Sequence, residues 1–198
     1  MKNLLNIFPL YVYQNNIDEL EFNQIVNDTS SFINNSSHKF EVVWKTSPTL
    51  TTIDVPKDQN INSKTLENQI KLHVNNYFHS WEFHPNAFGS GSVNMRISDL
   101  WVNIAKRDAY QEDHSHGINL FSGVIYINVN KDSGEFQFVN PEHRVNNLIP
   151  RNQKYQYTKS IIPYNGLILI FPSWLTHRAL PNKSDQDRIS IAFNVDTQ

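Results

Sequence analysis

The sequence predicts a mainly β protein with N-terminal helices, in which a helical and irregular part over residues 1–88 packs against a jelly roll over residues 89–198. Three observations predict it. Beyond residue 88 the chain runs through six β-rich segments, GSGSVNMRISDLWVNIAK, NLFSGVIYINV, SGEFQFV, KYQYTKSII, NGLILIFP and DRISIAFNV. Turn formers such as Asn130 to Gly134 and Tyr164-Asn165-Gly166 separate them with no helical segment between, which excludes a βαβ arrangement. The first part carries apolar residues at helical spacing, and a chain of 198 residues suits a single domain with a substantial core.

Taken in order, residues 5–13 (LNIFPLYVY) read as an extended segment. Residues 17–35 carry Ile17, Leu20, Phe22, Ile25 and Val26 at near-helical spacing, with Asp18 and Glu19 favourably placed at the N-terminus. Residues 36–62 look irregular, with short β-prone pieces at FEVVW and TLTTIDV. Residues 63–81 form the stronger helix: Ser63 can cap it, and Leu66, Ile70, Val74 and Phe78 make a stripe at i, i+4.

Composition narrows the function classes. A net charge of -2 and a pI near 6.4 give no electrostatic footprint for nucleic acid or an anionic membrane. The absence of cysteine excludes disulfides, thiolate metal sites and a cysteine nucleophile, and suits a reducing cytoplasm. The N-terminus MKNLLNIFPLYVYQNN lacks a long apolar core and a small-residue cleavage site, and no apolar run reaches the ~18–20 residues of a membrane span. The expectation is a soluble, cytoplasmic protein.

The most informative motif is His114-Ser115-His116, followed 61 residues after His116 by His177 and 11 residues later by Arg188. Residues i and i+2 of a strand point to one side, so both histidines of the pair can face one metal ion. His177 lies in FPSWLTH, where Pro172 ends the strand GLILIF and a turn presents the histidine. Such pairs also arise by chance, and His38, His73, His79, His84 and His143 read as surface or ordinary structural histidines. Arg188 and Ser190 share one strand face in RISIAF. A strand returning antiparallel from His177 can set Arg188 deeper in the barrel, where a guanidinium can bind a carboxylate bidentately. Without the histidines, Arg188 would read as an edge-strand surface residue. Tyr126, on one face with Ser122, Val124 and Asn128, reads either as a donor to the same carboxylate or as an aromatic core residue. Trp101, Phe121 and Trp174 are candidate pocket walls, or plain core.

On these residues the sequence resembles the Fe(II)/2-oxoglutarate-dependent oxygenases, whose fold is the double-stranded β-helix (jelly roll, cupin-like). The resemblance rests on HSHGINLFSGVIYIN, FQFVNP, NGLILIFPSWLTH and RISIAFN, with NIFPLYVY near the start, and is densest over 101–195. More narrowly it points to a bacterial and phage group of 2OG-Fe(II) oxygenases with an HxH…H…R pattern and no assigned substrate. It implies iron ligands at His114 and His177, and places His116 where the wider superfamily has a carboxylate. It implies 2-oxoglutarate binding by Arg188 with Ser190 and Tyr126. The implied cofactors are Fe(II), 2-oxoglutarate as co-substrate, and O2. The implied activity couples 2-oxoglutarate decarboxylation to succinate with hydroxylation of a protein or amino-acid side chain or a small molecule.

His116 leaves two alternatives open, a three-histidine centre or a two-histidine site with water in the third place. Asp113 points to the opposite strand face, and Glu135 is remote. Rival readings are a cupin-like three-His metal enzyme without 2-oxoglutarate and a non-catalytic jelly-roll binding module. The long loop 140–160, with Arg144, Arg151, Lys154 and Lys159, is a candidate lid over the pocket or a solvated loop. The family tendency is toward homodimers.

Overall fold

Among the described residues, two antiparallel sheets face each other, and two helices cover the outer face of the larger one. The computed structural model describes residues 10–36, 40–41, 47, 49–55, 63–80, 95–141 and 157–197. The elements run β1 (Tyr13–Asn16), α1 (Glu19–Asn35), β2 (Phe40–Glu41), β3 (Leu50–Asp54), α2 (Lys64–Ser80), β4 (Met95–Ala105), β5 (Gln111–His114), β6 (Phe121–Asn128), β7 (Phe136–Val139), β8 (Thr158–Ile161), β9 (Leu167–Pro172), β10 (His177–Ala179) and β11 (Arg188–Thr197). The large sheet has the order β1-β9-β6-β11-β4-β3-β2 and the small one β5-β10-β7-β8.

The predicted elements form, with local shifts. α2 begins where Ser63 caps it, its hydroxyl accepting from the Leu66 N–H at 3.1 Å. Its buried stripe is Leu66, Ile70, Val74 and Tyr77, with Phe78 half-buried against the same core; Tyr77 turns inward and donates its hydroxyl to the Tyr11 carbonyl at 2.8 Å. Leu20 in α1 is 80 % exposed, so that helix is held by its other apolar residues, chiefly Ile25. The first described strand covers Tyr13–Asn16, with residues 10–12 of the expected extended segment before it; residues 5–9 lie outside the described residues. The piece TLTTIDV forms β3, while most of FEVVW lies outside the described residues. His73 is a structural histidine, buried and hydrogen-bonded to the Tyr13 hydroxyl at 2.9 Å; His38, His84 and His143 lie outside the described residues. No described helix is long and apolar enough to cross a membrane.

Strand alternation splits the described interior into two main cores, with a small third cluster of Leu50, Ala105 and Ala109. Ile125, Ile168, Ile170, Ile191 and Phe193 point toward the helices and pack with Ile25, Ile70 and Val74. Val124, Tyr126, Leu167, Leu169 and Phe171 point the other way, between the sheets, against Phe136 and Phe138 of β7. Central strands buried on both faces explain the nearly continuous apolar runs SGVIYI and GLILIF. Gly123 is required where β6 runs between β9 and β11, because a Cβ there would meet Phe193 Cζ at 2.2 Å and the Leu169 carbonyl at 2.7 Å.

Candidate active site

The three histidines singled out in the sequence converge between the sheets. His114 ends β5 and His177 begins β10, and the two are directly paired across the antiparallel ladder. His116 lies just past the end of β5, so the simple i, i+2 strand rule does not carry it inward by itself. The chain turns there through Gly117 (φ 56°), and the ring stacks on His177 with centroids 5.2 Å apart and 14° between planes. Each ring offers one nitrogen, and the three nitrogens all lie within 4.8 Å of one another.

Tautomers follow from the hydrogen bonds. His114 Nδ1 lies 2.7 Å from the Glu112 carbonyl, and His177 Nδ1 lies 2.8 Å from the Leu175 carbonyl. A carbonyl only accepts, so each Nδ1 carries the hydrogen and each Nε2 carries the lone pair. Burial first, and then the neighbouring His114, push the His116 imidazole down to about 4; the Asp99 carboxylate opposes that shift. The same two causes hold His177 well below its ordinary value. At neutral pH both rings are therefore uncharged and able to donate lone pairs. Three imidazoles converging on one space, two of them anchored through Nδ1–H, fit a divalent transition metal.

The same pocket extends along β11. Its lining includes Trp101, Asn103, Tyr126, Arg188 and Ser190 as well as the histidines, and it encloses about 560 Å³, part of it open to solvent. Along β11 the inward row runs Arg188, Ser190, Ala192. Ala192 pairs with Trp101, whose ring packs on His116 at 5.5 Å, so Arg188 lies four residues further from the histidine end. Arg188 is 5 % exposed, and its Nη1 donates to the Ser133 carbonyl at 2.6 Å and the Leu180 carbonyl at 2.9 Å. Among the described residues no carboxylate lies within ion-pair range of it. The Tyr126 and Ser190 hydroxyls, both buried, likewise have no hydrogen-bond partner among the described residues. Burial keeps the Tyr126 phenol protonated, far above its ordinary range despite the opposing pull of Arg188, so it remains a donor. A buried cation without a counter-ion is costly, and beside two free hydroxyls it marks a place for an anion.

Several expectations are corrected. β10 and β11 do not pair; they belong to opposite sheets, so Arg188 faces the site across the barrel rather than along a returning hairpin. Phe121 points to the helix side, its ring 4.9 Å from Tyr77, and Trp174 is 53 % exposed; neither lines the pocket, whereas Trp101 does. Two expectations need no correction: Asp113 faces away from the histidines and meets Arg178 at 3.4 Å, and Glu135 is absent from the pocket lining. The candidate lid falls mostly on 142–156, outside the described residues. Asn103 and Gln111 also line the pocket and were not singled out from the sequence. Alternation from Trp101 would have placed Asn103 inward. Its carbonyl accepts from the Thr52 hydroxyl at 2.9 Å, which leaves its NH2 end available.

Comparison with known proteins agrees with this geometry. Residues 99–194 match the family described as "Putative 2OG-Fe(II) oxygenase". No curated protein matches the chain in sequence. Among solved structures, a prolyl-4-hydroxylase of Pseudomonas putida is similar over 96 % of this chain and 94 % of its own, with a TM-score of 0.62 and 12 % identity. HygX of Streptomyces hygroscopicus, solved with nickel and 2-oxoglutarate bound, is similar over 94 % and 83 %, with a TM-score of 0.61 and 10 % identity. The epimerase SnoN of nogalamycin biosynthesis, described as non-heme and alpha-ketoglutarate-dependent, is similar over 93 % and 76 %, with a TM-score of 0.65 and 12 % identity. At such identities these likenesses establish the jelly-roll fold, while the family match and the three-histidine cluster speak to the chemistry. The family match over residues 99–194 takes in all three histidines, Tyr126, Arg188 and Ser190, and with the three-histidine cluster it indicates a 2OG-Fe(II) oxygenase region, and so an enzyme whose cofactors are Fe(II), 2-oxoglutarate and O2.

Proposed function

We propose that this oxygenase is a hydroxylase of a protein or amino-acid side chain or a small molecule, with His114, His116 and His177 as the iron ligands and Arg188, Tyr126 and Ser190 as the 2-oxoglutarate site. The observation that carries the co-substrate assignment is Arg188, a guanidinium buried in the histidine pocket with no carboxylate partner among the described residues. The same observation disfavours a three-His enzyme working without a dicarboxylate. The convergence of all three imidazoles favours His116 as a third ligand over a water in that place. The fold likeness to a prolyl-4-hydroxylase supports hydroxylation as the reaction.

When bound, Fe(II) with 2-oxoglutarate and O2 supplies the oxidation, the 2-oxoglutarate leaving as succinate and carbon dioxide. The chain's own residues bind, orient and exclude water. His114 and His177 hold their Nε2 lone pairs in place through the Nδ1–H bonds to Glu112 and Leu175. Because all three ligands are neutral, no protein carboxylate offsets the metal's charge, and a dianionic co-substrate is the natural balancing ligand. Arg188 takes its distal carboxylate in a charge-assisted bond, with Tyr126 and Ser190 donating beside it. Phe136 and Phe171, packed against the His177 ring at 5.3 and 4.7 Å, keep water from that side of the centre. Residues 1–198 act as one unit in this reading, since α2 shares its apolar core with the large sheet.

The test is anaerobic titration of metal-free protein with Fe(II) and 2-oxoglutarate, followed by the visible charge-transfer absorption of a 2-oxo acid chelated to Fe(II). One equivalent per chain should saturate the band, and His114→Ala and His177→Ala should abolish it. Iron binding without the band would overturn the co-substrate reading. Absence of iron binding would overturn the ligand set.

A further inference from the structure

The three histidines are not held alike. His114 and His177 sit opposite each other on paired strands, and each ring is fixed by a backbone carbonyl two residues before it. His116 lies beyond the strand, and its ring has no hydrogen-bond partner among the described residues. Its backbone is tied through Ser173, whose carbonyl accepts the His116 N–H at 2.8 Å and whose own N–H donates to the Leu120 carbonyl at 3.3 Å. The turn that carries His116 is thus bracketed by one serine.

Ser173 is in turn held by a buried chain of polar side chains from two other strands. Ser173, Ser122 and Asn194 are 0 %, 1 % and 6 % exposed. The Ser122 hydroxyl donates to Asn194 Oδ1 at 2.8 Å, and the Ser173 and Ser122 oxygens are 2.8 Å apart. Asn194 Nδ2 donates to Asp99 Oδ2 at 3.2 Å. A carboxylate accepts only, so the Asn194 amide nitrogen must face Asp99 and its oxygen must face Ser122. Ser122 then has its single hydrogen committed to Asn194, and Ser173 must donate to Ser122. Every hydroxyl and amide direction in the chain is fixed and runs toward the Asp99 carboxylate. A satisfied buried network of this kind defines one arrangement, and removing one member leaves its neighbour unpaired.

We propose that Ser122, Ser173 and Asn194 are positioning residues for the third metal ligand: their hydrogen-bond chain fixes the Ser173 backbone, and through it the turn that brings His116 to the metal. This rests on the reading of His116 as a ligand. It predicts that loss of the chain detaches His116 from the metal while the strand-paired His114 and His177 stay.

Co(II) is the probe, because its visible absorption reports coordination independently of turnover. Full-length wild type, His116→Ala, Ser122→Ala, Ser173→Ala and the double variant Ser122→Ala/His116→Ala are titrated with Co(II), and thermal unfolding is recorded for each. The expected result is that both serine variants change the Co(II) spectrum in the sense that His116→Ala does, with binding weakened roughly 10- to 100-fold. The double variant should resemble His116→Ala alone, since a positioning residue has nothing left to position. If the serine variants lower the melting temperature but keep the wild-type spectrum and affinity, the network is merely structural and the proposal fails while the ligand reading stands. If the serine and histidine effects multiply in the double variant, the proposal fails in the same way. An unchanged spectrum in His116→Ala removes His116 from the ligand set, and the proposal with it. Should Ser122→Ala not fold, Ser173→Ala, which deletes only the terminal hydroxyl, gives the same readout, and Ser173→Ala/His116→Ala then serves as the double variant.

Discussion

His114 and His177 face each other across the β5–β10 ladder with ring centroids 4.2 Å apart, each anchored by Nδ1 to the carbonyl two residues earlier, Glu112 within β5 and Leu175 in the turn before β10. Two metal-ready imidazoles are therefore set by strand register, the most rigid positioning the fold offers. The small sheet contributes this pair, and the large sheet contributes Arg188, Ser190 and Tyr126 from the facing side. The reaction space is the gap between them.

Acid should weaken the metal-free protein through these rings. The folded pKa of His116 lies near 4 and that of His177 well below the ordinary 6.5, in both cases chiefly through burial. As pH falls, the unfolded chain takes up protons before the folded one does. Their contribution to stability is thus fully present above about pH 6.5 and is lost as pH falls through that value toward about 4. The melting temperature of metal-free protein should drop across this window, and the drop should be shallower in His177→Gln. An equal drop in His177→Gln would show that the ring is not buried in neutral form.

Arg188 should govern co-substrate binding without governing the metal. At a hundredfold excess over its dissociation constant, 2-oxoglutarate should add ~2.7 kcal/mol to the stability of the metal-loaded wild type under anaerobic conditions. Arg188→Met should lose that thermal shift yet bind Fe(II) as wild type does. Tyr126→Phe, which removes a single donor, should weaken 2-oxoglutarate by roughly 2- to 10-fold. A normal 2-oxoglutarate shift in Arg188→Met would place the anchor elsewhere.

Gly134 should matter through Arg188. It has φ 81°, and a Cβ there would meet the Leu180 carbonyl at 2.5 Å, the Pro181 carbonyl at 2.6 Å and Arg188 Nη1 at 3.0 Å. The Leu180 carbonyl is one of the two that hold the guanidinium. Gly134→Ala should cost about 1–2 kcal/mol from the backbone alone, lowering the melting temperature. It should also weaken 2-oxoglutarate while Fe(II) affinity stays. Intact 2-oxoglutarate affinity in a destabilised variant would mean that this turn does not set the guanidinium.

The sequence by itself determined the local patterns: a capped amphipathic helix from Ser63, strands that alternate in RISIAF and SGVIYI, and the residue types that suit a metal and an anion. Alternation alone put Arg188 and Ser190 on one face, and the same rule reaches Asn103 from Trp101. Only the tertiary structure decided which faces meet. It placed β10 and β11 in opposite sheets, turned Phe121 toward the helices, added Tyr77 to the core beside Phe78, and buried Arg188 away from any described carboxylate. It also joined Ser122, Ser173 and Asn194, which are separated by 51 and 72 residues from Ser122. The physical reason is that side-chain periodicity is a property of a few consecutive peptide units, whereas sheet membership and register are fixed by long-range pairing, and burial of charge exists only once that pairing has closed the barrel.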